Sequence, residues 1–281
     1  MKVFKYFVFC GLFIFFLYLF AYPFLFRVKS LESENPVQTA LMIYRIHQWK
    51  SQGKNIRISH TWVPLKRISP YLVKAVLISE DDKFFQHEGF DLEGIKLAIE
   101  KNIKKKKLKY GGSTISQQLA KNLFLGPRKS LVRKIHEAIL TVRIEKTLSK
   151  RRILELYLNV AEWGPGIFGI EAASEYYFSK PAITLTPEEA ALLAAVLPNP
   201  QKYSPVNPSR YISQRAEKIL YIMKLRNIIS EEYDSNVTKS THDSLSKDSL
   251  GIYHETPQDT LNVYDTLPGA SSTTNLQNSE N

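Results

Sequence analysis

Glu80 opens a segment, residues 80–89, whose side chains could carry out acid–base chemistry. The segment directly follows an apolar stretch at residues 71–78 that is typical of a buried helix. If helical geometry continues, Glu80, Phe84 and His87 lie on one face. Partial desolvation there would raise the pKa of the Glu80 carboxyl, as a general base needs. Taken alone, the segment is better explained as a solvated acidic helix end, because charge runs usually face water.

A second candidate site, residues 111–122, begins with two glycines after a lysine-rich run at residues 104–109. Ser113 or Thr114 can cap a helix whose first amides present donors to an anion such as pyrophosphate, or to a sugar. The polar side chains one turn further along are Gln118, Lys121 and Asn122. An ordinary helix start explains the glycines and the cap but not this polar group. The lysine run by itself indicates a solvated loop.

Two further charged segments have helical spacing. Arg133 and Glu137 form an i,i+4 pair, and a surface ion pair would have the same spacing. The apolar positions around that pair are Leu131, Ile135, Ala138 and Val142. Residues 150–159 predict a helix with a basic first turn and a buried Leu/Tyr face, mostly structural in role.

The charge of the chain is distributed unevenly along its 281 residues. Residues 231–281 hold nine acids and two bases, which leaves 36 bases against 18 acids in residues 1–230. Such a basic domain attracts a polyanion, and the candidates are nucleic acid, anionic lipid or a phosphate-bearing substrate. The single cysteine, Cys10, excludes an intramolecular disulfide and does not indicate a redox compartment.

Residues 7–26 carry no charge and are long enough to span a bilayer as a helix. We interpret them as a transmembrane anchor after a short cytoplasmic segment, residues 1–6; the alternative is a cleaved signal peptide, but Ala21-Tyr22-Pro23 is not a small-x-small cleavage site. The positive flanks are nearly balanced, so charge alone does not orient the anchor.

The remaining chain predicts a mostly helical domain. A polar connector at residues 27–36 leads into a domain at residues 37–229, and an acidic tail at residues 230–281 is too polar to bury a core and is expected to be disordered. Within the domain we predict a helix near residues 39–49 and a strand within residues 56–65. We also predict two helix starts, one with Ser69 as the N-cap before Pro70 and one with a capping box at residues 186–189, whose helix stops at Leu197-Pro198. Neither strand–helix alternation nor a nucleotide-binding loop is visible, which argues against a nucleotide-sugar transferase.

In this order, the segments resemble the peptidoglycan glycosyltransferase family, the lysozyme-like domain of class A penicillin-binding proteins, and especially its monofunctional members. The matching motifs are E-D-x-x-F-x-x-H-x-G at residues 80–89, G-G-S-T-I-x-Q-Q-L-x-K-N at 111–122, R-K-x-x-E at 133–137, R-I-L-E-x-Y-L-N at 152–159 and G-x-E-A-A-x-x-x-Y-F-x-K at 169–180. The resemblance implies a two-lobed, mostly helical domain with a larger lysozyme-like lobe, a smaller membrane-hugging lobe and the active site between them.

The resemblance also implies a reaction. The 4-hydroxyl of N-acetylglucosamine on one lipid II unit attacks C1 of the terminal N-acetylmuramic acid of the growing glycan, forms an inverted β1,4 bond and expels undecaprenyl pyrophosphate. Glu80 would be the base, and Glu137 a second carboxylate that positions or stabilises the reacting groups. Substrate contacts are implied for Asp81, Phe84, His87, Ser113, Thr114, Gln117, Gln118, Lys121, Asn122, Lys129, Arg133 and Lys134.

Two positions depart from the family pattern. Ser116 replaces a usual threonine and keeps the hydroxyl, whereas Lys129 replaces a usual arginine and loses bidentate phosphate recognition unless Arg128 substitutes. A divalent cation, Mg²⁺ or Mn²⁺, could assist, although no ligand spacing demands one. The resemblance places the domain outside the bacterial cytoplasmic (inner) membrane, with lipid II, membrane and cell-wall synthesis or division proteins as partners and no nucleic acid.

Two other functions fit part of the sequence. A lysozyme-like hydrolase or lytic enzyme could use one glutamate in a helical domain but would need neither the 111–122 segment nor an anchor. A non-catalytic membrane scaffold could use the basic surface to bind anionic lipid.

Overall fold

The structure, a computed structural model, describes residues 2–104 and 112–229. Most of the predicted lysine-rich run, together with Gly111 and the predicted acidic tail at residues 230–281, lies outside the described residues. Within them the chain is mostly helical, which confirms the predicted class. The α-helices are α1 (Lys2–Ala21), α2 (Ala40–Ser51), α3 (Pro70–Glu80), α4 (Leu92–Lys104), α5 (Ile115–Ala120), α6 (Leu131–Thr147), α7 (Lys150–Val160), α8 (Ile170–Phe178), α9 (Pro187–Val196) and α10 (Arg210–Leu225).

Shorter elements join these helices. The 3₁₀ helices are Tyr22–Leu25, Val28–Glu32, Leu65–Arg67 and Ala182–Thr184, and a π-helical turn, Lys121–Leu125, continues directly from α5. Three short strands, β1 (Ser59–His60), β2 (Glu162–Gly164) and β3 (Ile167–Phe168), form a sheet of order β1-β3-β2. The β1–β3 pair is parallel and the β2–β3 pair antiparallel with an irregular register. The strand predicted within residues 56–65 is therefore only two residues long.

The N-terminal residues form one candidate membrane span. The candidate span Phe4–Glu32 is long and apolar enough to cross a membrane, and most of its side chains are exposed. It consists of α1 and the two following 3₁₀ helices, with a break in the helical backbone at Phe26 and Arg27. This is compatible with the predicted anchor at residues 7–26. Its end packs on α6, where His136 lies against Tyr18 and Tyr22 with ring centroids 5.2 and 5.0 Å away.

The predicted connector makes ordered contacts with the domain. Val28 and Leu31 are buried, although the segment is polar overall. The Arg152 guanidinium donates hydrogen bonds to Leu31 O at 2.8 Å and Glu34 O at 2.9 Å. Packing therefore starts before residue 37, because two apolar side chains and free backbone carbonyls of the connector find partners on α6 and α7.

The core has two parts. Helices α3, α9 and α10 pack on one another, and α5 packs against α6 and α7. Alanines 190, 191, 194 and 195 are buried along α9, and such small side chains allow close helix approach. The predicted capping box is present: Thr186 accepts from the Glu189 amide at 3.3 Å, and Glu189 accepts from the Thr186 amide at 2.8 Å. The helix ends at Val196, before Pro198, as predicted.

One local prediction needs correction. Ser69 precedes α3 but its hydroxyl does not cap it; the hydroxyl donates to Leu185 O at 2.8 Å, which ties the start of α3 to the segment before α9. Of the periodic apolar positions on α6, Leu131, Ile135 and Val142 are exposed. The side that faces the protein carries His136, Glu137, Leu140, Thr141 and Ile144.

Candidate active site

Glu80 is the last residue of α3, and its side chain is only 11% exposed. Burial raises the pKa of its carboxyl, while neighbouring donors and cations act in the opposite direction. Gln118 Nε2 donates to Oε2 at 2.9 Å, and the longer contacts to Oε1 come from the Ser79 hydroxyl at 3.3 Å and Arg215 Nη2 at 3.4 Å. Glu80 is thus a desolvated carboxylate with several donors around it, not the solvated helix end that charge patterning alone favoured.

The helical geometry expected after Glu80 is wrong. Asp81 has φ −163° and ψ 76°, which ends α3, and a series of turns follows. Phe84 is consequently fully buried, with Lys150 Nζ 4.5 Å from its ring centroid, so it is not available to contact a substrate. His87 turns toward Asp81, with Nε2 2.9 Å from Oδ1, and not toward Glu80.

Asp81 lines the cavity beside Glu80, but both of its oxygens are engaged inside the protein. Oδ1 pairs with His87, and Oδ2 accepts from the Ile115 amide at 2.9 Å, at the start of α5. The sequence predicted that the first amides of this helix bind an anion such as pyrophosphate, but the Ile115 amide binds the Asp81 carboxylate of the protein itself. This arrangement supports a positioning role for Asp81 and His87, which hold α3 and α5 together.

The predicted helix cap in the 111–122 segment is confirmed. The Thr114 hydroxyl accepts from the Gln117 amide at 3.2 Å, Gln117 Oε1 accepts from the Thr114 amide at 3.0 Å, and the Thr114 hydroxyl also donates to Gly89 O at 2.7 Å. These bonds fix α5 so that Gln118 reaches Glu80. Ser113, just before the cap, is exposed and lies 3.4 Å from Lys134 Nζ.

Two cavities adjoin each other at Ser113. The first, about 380 Å³, is lined by Glu80 and the following residues Asp81 and Asp82, by α4, and by Ser113 and Thr114. The second, about 240 Å³, shares Ser113 with it and is otherwise lined by Gln117, Gln118, Lys121, Pro127, Lys129, Arg133, Lys134 and Glu137. The second cavity therefore has four cationic side chains against one carboxylate, a formal charge of +3.

Glu137 is the buried anion of this basic cavity. It is 2% exposed and forms ion pairs with Arg133, one turn before it, and with Lys134. The predicted Arg133–Glu137 pair is confirmed, but it belongs to the cavity and not to an open surface. Arg133 Nε is buried and has no hydrogen-bond partner among the described residues, so this guanidinium retains a donor.

Lys121 and Asn122 lie on the π-helical turn after α5, which ends at Gly126 with φ 72°. Burial lowers the pKa of Lys121, whereas the charges of Glu137 and Glu80 raise it. The Lys121 ammonium is therefore close enough to interact electrostatically with both carboxylates. Lys121 and Asn122 also line a third cavity of about 150 Å³, together with Tyr157 and Glu162. In this way the π turn places polar side chains between neighbouring cavities.

Two residues near Glu80 were missed by the sequence reasoning. Arg215 on α10 donates to the Ser79 hydroxyl at 2.8 Å and contacts Glu80, yet it lies 135 positions later and outside every motif. Tyr157 donates to Gln118 Oε1 at 3.2 Å; its place in the 152–159 motif was a usable signal, but the motif was interpreted as structural. Lys129 lines the basic cavity, whereas Arg128 is not among its lining residues.

Among residues 2–104 and 112–229, no group of three or more His, Cys, Asp or Glu side chains could hold a metal ion. The acidic side chains beside Glu80 have protein partners, for example Asp82, which forms a two-point contact with Arg226 at 2.5 and 2.8 Å. The residues present do not form a protein-built cation site there.

Comparison with known proteins agrees with this geometry. The family described as Transglycosylase matches residues 48–224, well over half of the chain. The chain belongs to the transglycosylase family. It is 54% identical over 177 residues to the "Biosynthetic peptidoglycan transglycosylase" of Azoarcus sp. (strain BH72), which covers 63% of this chain and 77% of that protein.

Other transglycosylase relatives extend the match. The protein of the same name from Nitrosomonas eutropha is 46% identical over 197 residues, 70% of this chain and 81% of that protein. The one from Aromatoleum aromaticum is 54% identical over 169 residues, 60% of this chain and 74% of that protein. The family resemblance inferred from the five motifs is thus confirmed, and the matched region contains Glu80, the basic cavity and Arg215.

Proposed function

We propose that this transglycosylase polymerises lipid II into β1,4-linked glycan strands for the cell wall and releases undecaprenyl pyrophosphate. The observation that carries the proposal is the +3 cavity beside a buried carboxylate of raised pKa. Glycosyl transfer from a pyrophosphate donor needs both features, a base for the acceptor hydroxyl and cations for the departing pyrophosphate.

In the proposed step, Glu80 accepts the proton of the acceptor 4-hydroxyl as that oxygen forms a bond to C1 of the donor sugar. The bond between C1 and the pyrophosphate oxygen breaks, and its electron pair leaves on the pyrophosphate. Attack from the face opposite the leaving group inverts C1 to the β configuration. Lys121, Lys129 and Arg133 stabilise the charge that develops on the leaving group.

Glu137 acts in this proposal as the counter-ion that holds the cations in place. Without it, Arg133 and Lys134 would repel each other across the cavity. Because Glu137 is already paired with both, we assign proton acceptance to Glu80 alone. A hydrolase of the same glycan would need no such group of cations, since its leaving group is an uncharged sugar.

The membrane is proposed as the site of the reaction. Helix α6 packs against the end of the candidate span and also exposes apolar side chains. More apolar side chains are exposed on α4, namely Leu92, Leu97, Ile99 and Ile103. Such surfaces fit contact with lipid, and we propose a two-lobed domain that rests on the outer face of the cytoplasmic membrane with the cleft between its lobes.

The polymerisation assay tests the proposal. Purified full-length protein in detergent, given fluorescent lipid II, should form β-linked polymer and release one undecaprenyl pyrophosphate per bond formed. Glu80→Gln should abolish polymer formation. Glu88→Gln, which changes an exposed carboxyl of the same segment, is the matched control and should retain it. Breakdown of preformed glycan without consumption of lipid II would instead establish the hydrolase.

A further inference from the structure

Glu80 is connected to the helical core through two side chains. Gln118 on α5 donates its Nε2 to Glu80 Oε2 at 2.9 Å, and the Tyr157 hydroxyl on α7 donates to Gln118 Oε1 at 3.2 Å. Helices α5 and α7 pack directly against each other. A continuous hydrogen-bonded chain therefore runs from a core tyrosine to the carboxylate.

Tyr157 has a well-defined role in this chain because its hydroxyl stays protonated. The residue is 1% exposed, and burial raises the pKa of the phenol well above its ordinary value, with the charges of Glu80 and Asp81 acting in the same direction. A buried phenol that keeps its proton is a donor, and Gln118 Oε1 is the acceptor within reach.

The amide of Gln118 can in principle face Glu80 with either end, and the two ends differ in effect. The NH₂ end gives a charge-assisted hydrogen bond, whereas the carbonyl end would repel the carboxylate. A donor on the opposite side of the amide selects the first arrangement. We propose that Tyr157 is a positioning residue that orients the Gln118 amide toward Glu80 and so keeps Glu80 a carboxylate able to accept a proton, a role that rests on the proposed function.

The need for such a device follows from the burial of Glu80. Burial raises its pKa, and the Gln118 hydrogen bond is the foremost interaction that opposes the rise. The contacts from Ser79 and Arg215, at 3.3 and 3.4 Å, are longer than the 2.9 Å bond from Gln118. If the Gln118 amide rotated or lost its hydrogen bond to Glu80, a larger fraction of Glu80 would be protonated and unable to act as a base.

Tyr157→Phe tests the proposal because it removes only the hydroxyl. The acidic limb of the pH profile for lipid II polymerisation should move to higher pH, with a roughly tenfold loss of rate on that limb, equivalent to about 1.4 kcal/mol, and a smaller loss on the plateau. Tyr177→Phe is the matched control: its hydroxyl bonds to Trp163 O at 3.3 Å, remote from this chain of bonds, and its limb should coincide with that of the wild type.

Gln118→Met provides a second test that does not require Tyr157 to change. It should shift the limb in the same direction, and adding Tyr157→Phe should cause no further shift, because the tyrosine acts through the amide. The titration of the ¹³C-labelled Glu80 carboxyl, assigned by its loss in Glu80→Gln, should move to higher pH in both single variants.

The titration also separates this inference from the proposed function. An unchanged Glu80 titration in Tyr157→Phe, or in Gln118→Met should the first variant unfold, would overturn the positioning role even in an active enzyme. A shifted titration in the variants, combined with a wild-type protein that does not polymerise lipid II, would support the positioning role and refute the proposed function instead.

Discussion

Replacing Glu137 by glutamine should lower both stability and turnover, by separable amounts. The carboxylate is 3% exposed and its partner Arg133 17% exposed, so the lost charge-assisted bond costs about 1.5–3 kcal/mol. The Lys134 side chain is 47% exposed and can return to water, so that pair contributes about 0–1 kcal/mol. Because glutamine still offers one acceptor oxygen, we expect a net loss of about 2 kcal/mol, or a fall in Tm of about 4–8 °C for a domain of this size.

The charge of the cavity changes at the same time, from +3 to +4. The loss of a fixed counter-ion frees Arg133 and Lys134 to separate, so kcat for lipid II polymerisation should fall further than the Tm shift explains. A thermal unfolding curve gives the Tm shift, and initial rates measured well below Tm on the same detergent preparation give the change in kcat.

Glu155→Gln is the control for this prediction. Glu155 also pairs with an arginine, Arg152, and accepts from the Leu65 amide at 2.8 Å, but it lines none of the three cavities described above. It should lower Tm by a comparable amount and leave kcat unchanged. The reasoning fails if Glu137→Gln leaves Tm unaltered, or if both variants reduce kcat in proportion to their stability loss.

Three further outcomes follow from named contacts. Glu80→Gln should raise Tm relative to the wild type once the pH exceeds 4.5, the ordinary pKa of this carboxyl. Ionising the buried Glu80 costs stability, so the gain should grow above pH 4.5 and level off above the raised pKa of the folded state. A gain that appears below pH 4.5 would contradict this sign. Thr186→Ala should cost about 1 kcal/mol of unfolding free energy, seen by denaturant titration, with polymerisation intact, since it removes only the cap of α9. Arg143→Ala should expose the chain near residues 23–26 to limited proteolysis. The Arg143 guanidinium donates hydrogen bonds to Pro23 O and Phe26 O and lies 4.8 Å from the centroid of the Phe24 ring. An unchanged cleavage pattern would show that these contacts do not restrain the segment.

Local sequence signals predicted most of the helices and two caps, although the cap expected at Ser69 was wrong. The capping boxes at Thr114 and Thr186 and the pair of Arg133 with Glu137 depend on residues three or four positions apart, which one helix brings together whatever the fold. The extrapolation beyond Glu80 failed because Asp81 leaves the helical region. No local pattern predicts that the side chain of Asp81 accepts a hydrogen bond from the backbone of α5, 34 residues later.

Burial was the other quantity that spacing could not supply. Leu131, Ile135 and Val142 lie on the exposed side of α6. Its inner side carries a histidine and a glutamate as well as buried apolar residues. An amphipathic pattern identifies a helix and its apolar stripe, but it cannot distinguish a stripe that faces a core from one available to lipid. The charged residues on the inner face resolve this ambiguity, because a buried Glu137 requires the cations that the motif supplies.

The two carboxylates of the site are distinguished by their partners. Glu137 forms ion pairs with two cations from its own helix, so those pairs need only α6 to form. Glu80 instead receives its donors from α5 and α10, and through Gln118 from α7, so its environment exists only when the whole domain is assembled. Desolvation and donors act on Glu80 in opposite directions, and a base requires that balance: too little burial leaves a weak base, and too few donors leave a protonated acid. Changes at Tyr157 or Arg215 should therefore alter the pH dependence of turnover, whereas changes at Arg133 or Lys134 should chiefly alter its response to salt and to the charge of the leaving group.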